Sequence, residues 1–235
     1  MANKFVFLPP QSNFFAEWIP RLLDSAPGWD IVTPKTEEQA LKELADADAA
    51  YGTMTPELIE AAPKLRWLQA PAAAPNAGYY FDELIAHPTK VTNFREIYND
   101  HISVQILTYM LNFTKHFNIY RDQQSERKYE VLESPNHDIF LPESSVLIVG
   151  VGGIGTETAR LCKALGMTVL GIDARREFKP EWVDDMFTPD QLDSQLPKAD
   201  FVVLTIPHTP ATEGLFDSSK FSLMKKSAIF INIGR

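Results

Sequence analysis

The stretch Ser145-Val-Leu-Ile-Val149-Gly150-Val-Gly152-Gly153-Ile154-Gly155 sets the fold expected of the whole chain. A run of aliphatic and β-branched residues feeding directly into Gly-x-Gly-x-x-Gly predicts a buried strand, a tight turn and then a helix over residues 156–165, stopped by Gly166. In such a turn Gly150 allows the sharp reversal, Gly152 puts no side chain between the backbone and a pyrophosphate, and Gly155 lets helix and strand pack closely. Gly153 and Ile154 complete the loop, and the helix start offers unpaired N–H groups and a positive dipole end to phosphate. Asp173 ends the next predicted strand 23 residues beyond Gly150, near the spacing at which a carboxylate accepts ribose hydroxyls. These residues point to a bound dinucleotide, with NAD favoured. Arg175 and Arg176, just beyond the acid, could instead embrace the 2′-phosphate of NADP.

Outward from this segment, short β-branched or aromatic runs alternate with helical periodicity. That is the pattern of an α/β fold whose parallel sheets are covered by helices. Before residue 100, strands are predicted at 4–8, 29–32, 47–52, 65–69 and 90–92, and helices at 14–25, 36–45 and 56–61. Thr36 is the expected N-cap of the second helix, with Gln39 closing a capping box. Residues 100–129 contain no Gly or Pro, and Ile102, Ile106, Tyr109, Met110, Phe113 and Phe117 recur at three- and four-residue steps, which predicts one long amphipathic helix. Strands follow at 145–149, 167–172, 201–205 and 228–232, with a shorter one near 185–187. We place a domain boundary near residue 99, giving domains 1–99 and 100–235.

Composition bounds the function. The 45% hydrophobic and 23% charged residues are those of an ordinary globular protein, which excludes a disordered or fibrous chain. Lys and Arg number 22 against 31 Asp and Glu, and the net charge of −9 argues against non-specific binding to nucleic acid or anionic membrane. No apolar run is long enough to span a bilayer, and the opening MANKFVFLPP is too short for a signal peptide, so a cytoplasmic protein is expected. Cys162 is the single cysteine, expected as a small buried helix residue, and no His-x-x-His or Glu-x-x-His spacing suggests a metal.

Four ordered motifs then resemble the D-isomer-specific 2-hydroxyacid dehydrogenases. Leu65-Arg-Trp-Leu-Gln69-Ala-Pro-Ala-Ala73-Ala74-Pro-Asn76 is similar to the family's substrate loop, and Val91-Thr-Asn93-Phe-Arg95-Glu-Ile-Tyr98-Asn-Asp-His101 to its crossing into the cofactor domain. Ala199-Asp200-Phe-Val-Val-Leu-Thr-Ile206-Pro207-His208-Thr209-Pro-Ala-Thr212 resembles the fourth-strand signature, and Met224 to Arg235 ends on what looks like the catalytic arginine.

The resemblance implies a flavodoxin-like substrate domain followed by a Rossmann dinucleotide-binding domain that is incomplete at its C-terminus. It implies that Arg235 holds the substrate carboxylate and polarises its carbonyl, and that the Ala73 and Ala74 amides share that carboxylate. The cofactor would lie against the glycine loop, Asp173, Arg175, Pro207, His208, Thr212 and Ile233. The implied substrate is a small 2-hydroxy or 2-oxo acid, and the implied assembly a homodimer, with Gln123, Gln124, Lys128 and Tyr129 near the partner. Ala74, Pro75, Asn76 and Glu96 depart from the family pattern, Glu96 standing at a usual glycine position. The family's catalytic Glu and His lie past the position of Arg235, and none of His87, His101, His116, His137 and His208 is expected to replace the latter. The 235-residue chain is therefore expected to be a fragment, inactive alone. The alternative is a dinucleotide-binding regulatory or interaction protein that has lost catalysis.

Overall fold

A computed structural model describes residues 2–12, 14–73, 78–132, 139–175 and 179–234. They fall into two units, Met1–Ile97 and Tyr98–Arg235.

In the first unit, β1 (Asn3–Phe7), β2 (Trp29–Val32), β3 (Ala49–Tyr51), β4 (Trp67–Gln69) and β5 (Lys90–Thr92) form one parallel sheet in the order β2-β1-β3-β4-β5. This is the flavodoxin-like doubly wound order. The connections are α1 (Phe15–Ser25), α2 (Glu37–Leu44), α3 (Pro56–Glu60) and α4 (Asp82–Ala86). Val6, Ala50 and Leu68 alternate onto one sheet face and join Leu44, Leu58 and Leu84 from the helices in a single core. Thr36 caps α2 as expected, accepting the Gln39 N–H at 3.3 Å. The Gln39 Oε1, however, reaches past the cap to the Lys35 N–H at 2.8 Å.

In the second unit, β6 (Ser145–Val149), β7 (Thr168–Ile172), β8 (Asp185–Phe187), β9 (Phe201–Leu204) and β10 (Ile229–Asn232) pair in parallel in the order β10-β9-β6-β7-β8. Two strands lie on each side of β6, which makes it the centre of a doubly wound sheet. Its residues alternate accordingly: Val146 and Ile148 face Ile106, Met110, Ala159 and Cys162, while Leu147 and Val149 face Leu192 and Leu196. The helices of this unit are α5 (Asn99–Thr114), α6 (Phe117–Ser125), α7 (Gly153–Ala164), α8 (Leu192–Gln195) and α9 (Ser218–Leu223). Cys162 is buried as expected, and burial pushes its thiol up to about 12, which leaves it unreactive. No helix among the described residues is long and apolar enough to cross a membrane.

The expected single helix over 100–129 is two helices. His116 adopts the left-handed conformation with φ 51°, ending α5 and starting α6. Histidine is among the non-glycine residues that enter this region most readily. Ile106 and Met110 are buried in the core, whereas Tyr109, Phe113 and Phe117 are exposed and α6 buries nothing. The periodic stripe thus serves the core only over its first half.

Aspartates tie the N-terminal ends of both sheets. Asp48 Oδ2 accepts the Lys4 N–H at 2.9 Å and Oδ1 pairs with Arg66 at 2.9 Å. Asp200 occupies the equivalent place in the second sheet, accepting the Ser145 N–H at 2.9 Å and pairing with Lys225 at 2.7 Å. Burial alone would raise the Asp200 pKa, but the hydrogen bonds from Lys225 and Ser145 outweigh it and hold the carboxyl below its ordinary value.

Glu96 carries a φ of 72° just after β5, which explains why this position suits glycine. A left-handed non-glycine residue costs about 1–2 kcal/mol, partly offset by the lower chain entropy of a non-glycine unfolded state. The Arg95 pairing at 3.5 Å is exposed and adds little. Glu96→Gly is therefore expected to raise stability by about 0.5–1 kcal/mol in urea unfolding. A loss of stability would show that Glu96 makes contacts that outweigh its backbone strain.

Candidate functional site

The sequence-predicted cofactor residues converge on the C-terminal ends of β6, β7, β9 and β10, where strand order reverses about β6. In doubly wound sheets ligands bind at this kind of crevice. Gly150 follows β6 with φ 97°, a conformation that L side chains rarely adopt. A Cβ there would also lie 2.7 Å from Ile206 Cγ2 and 3.0 Å from the Ile206 nitrogen. Gly155, on the first turn of α7, faces the Gly150 carbonyl so closely that a Cβ would overlap its oxygen. The helix begins at Gly153, earlier than the expected residue 156.

Gly152 differs. Its φ of −78° and ψ of −157° suit any residue, and a Cβ there would have nothing within 4 Å. The fold does not require glycine at 152, so the open space in front of it is what fits a pyrophosphate approaching the backbone.

Asp173 follows β7 and is held across the turn. Its Oδ2 accepts the Val151 N–H and its Oδ1 accepts the Arg175 N–H, each at 2.8 Å. A carboxylate has about four acceptor sites, so these two bonds orient it and leave capacity for ribose hydroxyls. From the β9 side, the Thr205 hydroxyl donates to the Gly150 carbonyl, and the Thr205 N–H donates to the Val149 carbonyl at 2.9 Å. Thr212 organises the loop that follows: its hydroxyl donates to the Pro207 carbonyl at 2.7 Å and accepts the Thr209 N–H at 2.8 Å. His208 is exposed on that loop. Ile233 extends β10, its N–H bonded to the Leu204 carbonyl at 3.2 Å.

In the first unit, Ala73 ends the described part of the loop after β4, and its carbonyl accepts Asn93 Nδ2 at 2.8 Å. Ala74, His137, Arg176 and Arg235 lie outside the described residues. Sequence reasoning missed Thr205 and Asn93 as organisers. The only signal for Thr205 was a hydroxyl closing the apolar run Phe201-Val-Val-Leu204, and Asn93 had none beyond its place in a recognised motif. Among the described residues no three His, Cys, Asp or Glu side chains group as a metal site.

Residues 107–235, more than half of the chain, match the family described as D-isomer specific 2-hydroxyacid dehydrogenase, NAD binding domain. The chain belongs to this family. Its second unit contains the NAD binding domain. A glyoxylate/hydroxypyruvate reductase B of Citrobacter koseri is 30% identical over 86% of the chain and 63% of its own length. A D-3-phosphoglycerate dehydrogenase of Methanocaldococcus jannaschii is 27% identical over 92% of the chain and 41% of its own length. The chain thus spans between two fifths and two thirds of these curated relatives. Among solved structures, a D-isomer specific 2-hydroxyacid dehydrogenase family protein of Aeromonas salmonicida matches all of the chain and 74% of its own, with TM-score 0.81 and 26% identity.

The glycines yield opposite expectations for one methyl group. Gly155→Ala should cost about 1–3 kcal/mol or more of stability by overpacking. Gly152→Ala should melt as the unaltered protein does and lose NADH affinity. Thermal melting and NADH fluorescence titration of both variants check this; equal melting losses would show that the fold, not the ligand, needs Gly152.

Proposed function

We propose that this chain holds NAD in preference to NADP and presents a small 2-oxo or 2-hydroxy acid to it, as part of an oxidoreductase acting at C2 of that acid. The observation that carries the reading is Asp173, a carboxylate fixed by two backbone N–H groups beside the glycine turn. Those two bonds aim it to accept ribose hydroxyls and to repel a 2′-phosphate. The dinucleotide, when bound, supplies or takes up the hydride.

The chain's own residues bind and orient. The Arg235 guanidinium meets the substrate carboxylate through its planar fork, and the Ala73 and Ala74 amides share that carboxylate. Asn93, by holding the Ala73 carbonyl, steadies the loop that offers them. Pro207, His208, Thr212 and Ile233 line the nicotinamide end. The substrate class is supported by the relatives' names, since glyoxylate and hydroxypyruvate are 2-oxo acids and 3-phosphoglycerate is a 2-hydroxy acid.

NADH and NADPH titrations of the 235-residue chain test the reading. NADH should bind more tightly, and Asp173→Asn should weaken NADH about tenfold while narrowing the gap to NADPH, the scale of lost hydrogen bonds to a charged group. Tighter NADPH binding by the unaltered chain would sink the NAD preference.

We also propose a homodimer. Val104, Tyr109 and Phe113 on α5 and Phe117 on α6 are all exposed, Phe117 by 64%. Large apolar side chains exposed along one segment are what an association site offers. Sedimentation should give a dimer that Phe113→Glu converts to a folded monomer; a monomeric unaltered chain would reject the assembly.

A further inference from the structure

Gly153 stands at a place where Gly-x-Gly-x-x-Gly asks for no glycine. As the first residue of α7 it needs no left-handed backbone. What excludes a side chain there is Asn99, the first residue of α5. A Cβ on Gly153 would overlap Asn99 Nδ2 and lie 2.7 Å from its Oδ1 and 2.8 Å from its Cγ. The Asn99 carboxamide therefore occupies the space beside the unpaired N–H groups at the start of α7. Among the described residues that carboxamide has no hydrogen-bond partner, although the Asn99 backbone carbonyl accepts from Ser103 Oγ at 2.6 Å. The opening of α7, Gly153-Ile154-Gly155-Thr156, contributes no Lys or Arg to balance a phosphate.

The geometry points to Asn99 as a diphosphate-binding residue: its Nδ2 donates to a phosphate oxygen, in place of any side chain at 153. The inference rests on the reading of the glycine turn as the dinucleotide site. A neutral amide donor suits this place because it joins the N–H groups of the helix start without the desolvation cost of a buried cation.

The test is NADH fluorescence titration of the 235-residue chain, with ADP-ribose and adenosine as competitors. Asn99→Ala should weaken NADH and ADP-ribose about tenfold or more, the scale of a hydrogen bond to a charged group, and leave adenosine unchanged. Its melting temperature should stay within about 2 °C. Asn99→Asp should weaken NADH further, with a loss that shrinks as salt is raised. Gly153→Ser in the Asn99→Ala background should recover much of the affinity by returning a donor to the vacated space. Unchanged NADH binding by Asn99→Ala, or equal losses for adenosine and ADP-ribose, would overturn the role of Asn99 while leaving the cofactor site standing. Failure of the unaltered chain to bind NADH would overturn the site itself, and this inference with it.

Discussion

The close approach of α7 to β6 is the constraint on which the second unit depends. Gly155 lies against the Gly150 carbonyl with no room for a methyl group, so the helix meets the strand at one depth only. That depth sets where Ala159 and Cys162 fall on Val146 and Ile148, and hence how one face of the sheet is filled. Because interiors are packed like crystals, a helix displaced by even part of an ångström would open gaps along the whole face. The same contact puts the α7 N-terminus at the mouth of the crevice. Packing and ligand geometry are therefore not separable at this turn.

Aspartates divide the labour between the two ends of the sheets. Asp48, Asp184 and Asp200 lie at the N-terminal edges, where each accepts a backbone N–H and pairs with Arg66, Lys163 or Lys225. Their charges are consumed within the fold. Asp173 also accepts backbone N–H groups, at the opposite end, but no cation pairs with it among the described residues. One residue type thus staples strands at one edge and braces the glycine turn at the other, and the difference is the presence of a cationic partner.

Much of this was legible from residue order. The apolar run Ser145–Val149 and the glycines after it identify strand and turn because each has a local physical cause. The left-handed Glu96 was legible only as a departure, a side chain where glycine is usual. The break between α5 and α6 was not legible. Residues 100–129 carry no Gly or Pro, and the stripe from Ile102 to Phe117 keeps helical spacing throughout. The break falls at His116, whose left-handed φ of 51° comes just after Thr114, the last buried residue of α5. Periodicity records which residues are apolar and not whether anything stands opposite them. For the same reason Asn99 carried no signal, since its partner Gly153 lies 54 residues away in sequence.

The four glycines of the turn show why a motif cannot be read as a single requirement. At Gly150 the backbone conformation and the neighbouring Ile206 both exclude a side chain, and at Gly155 a carbonyl does. These two belong to the fold and would be needed by a protein that bound nothing. At Gly152 neither backbone nor neighbour objects, and the missing side chain leaves the backbone open to a group from outside. At Gly153 the objection comes from one polar side chain that has no other partner among the described residues. A pattern match weighs all four alike. Only the surroundings of each missing Cβ separate the glycines that build the turn from the one that faces open space and the one that yields its place to another residue.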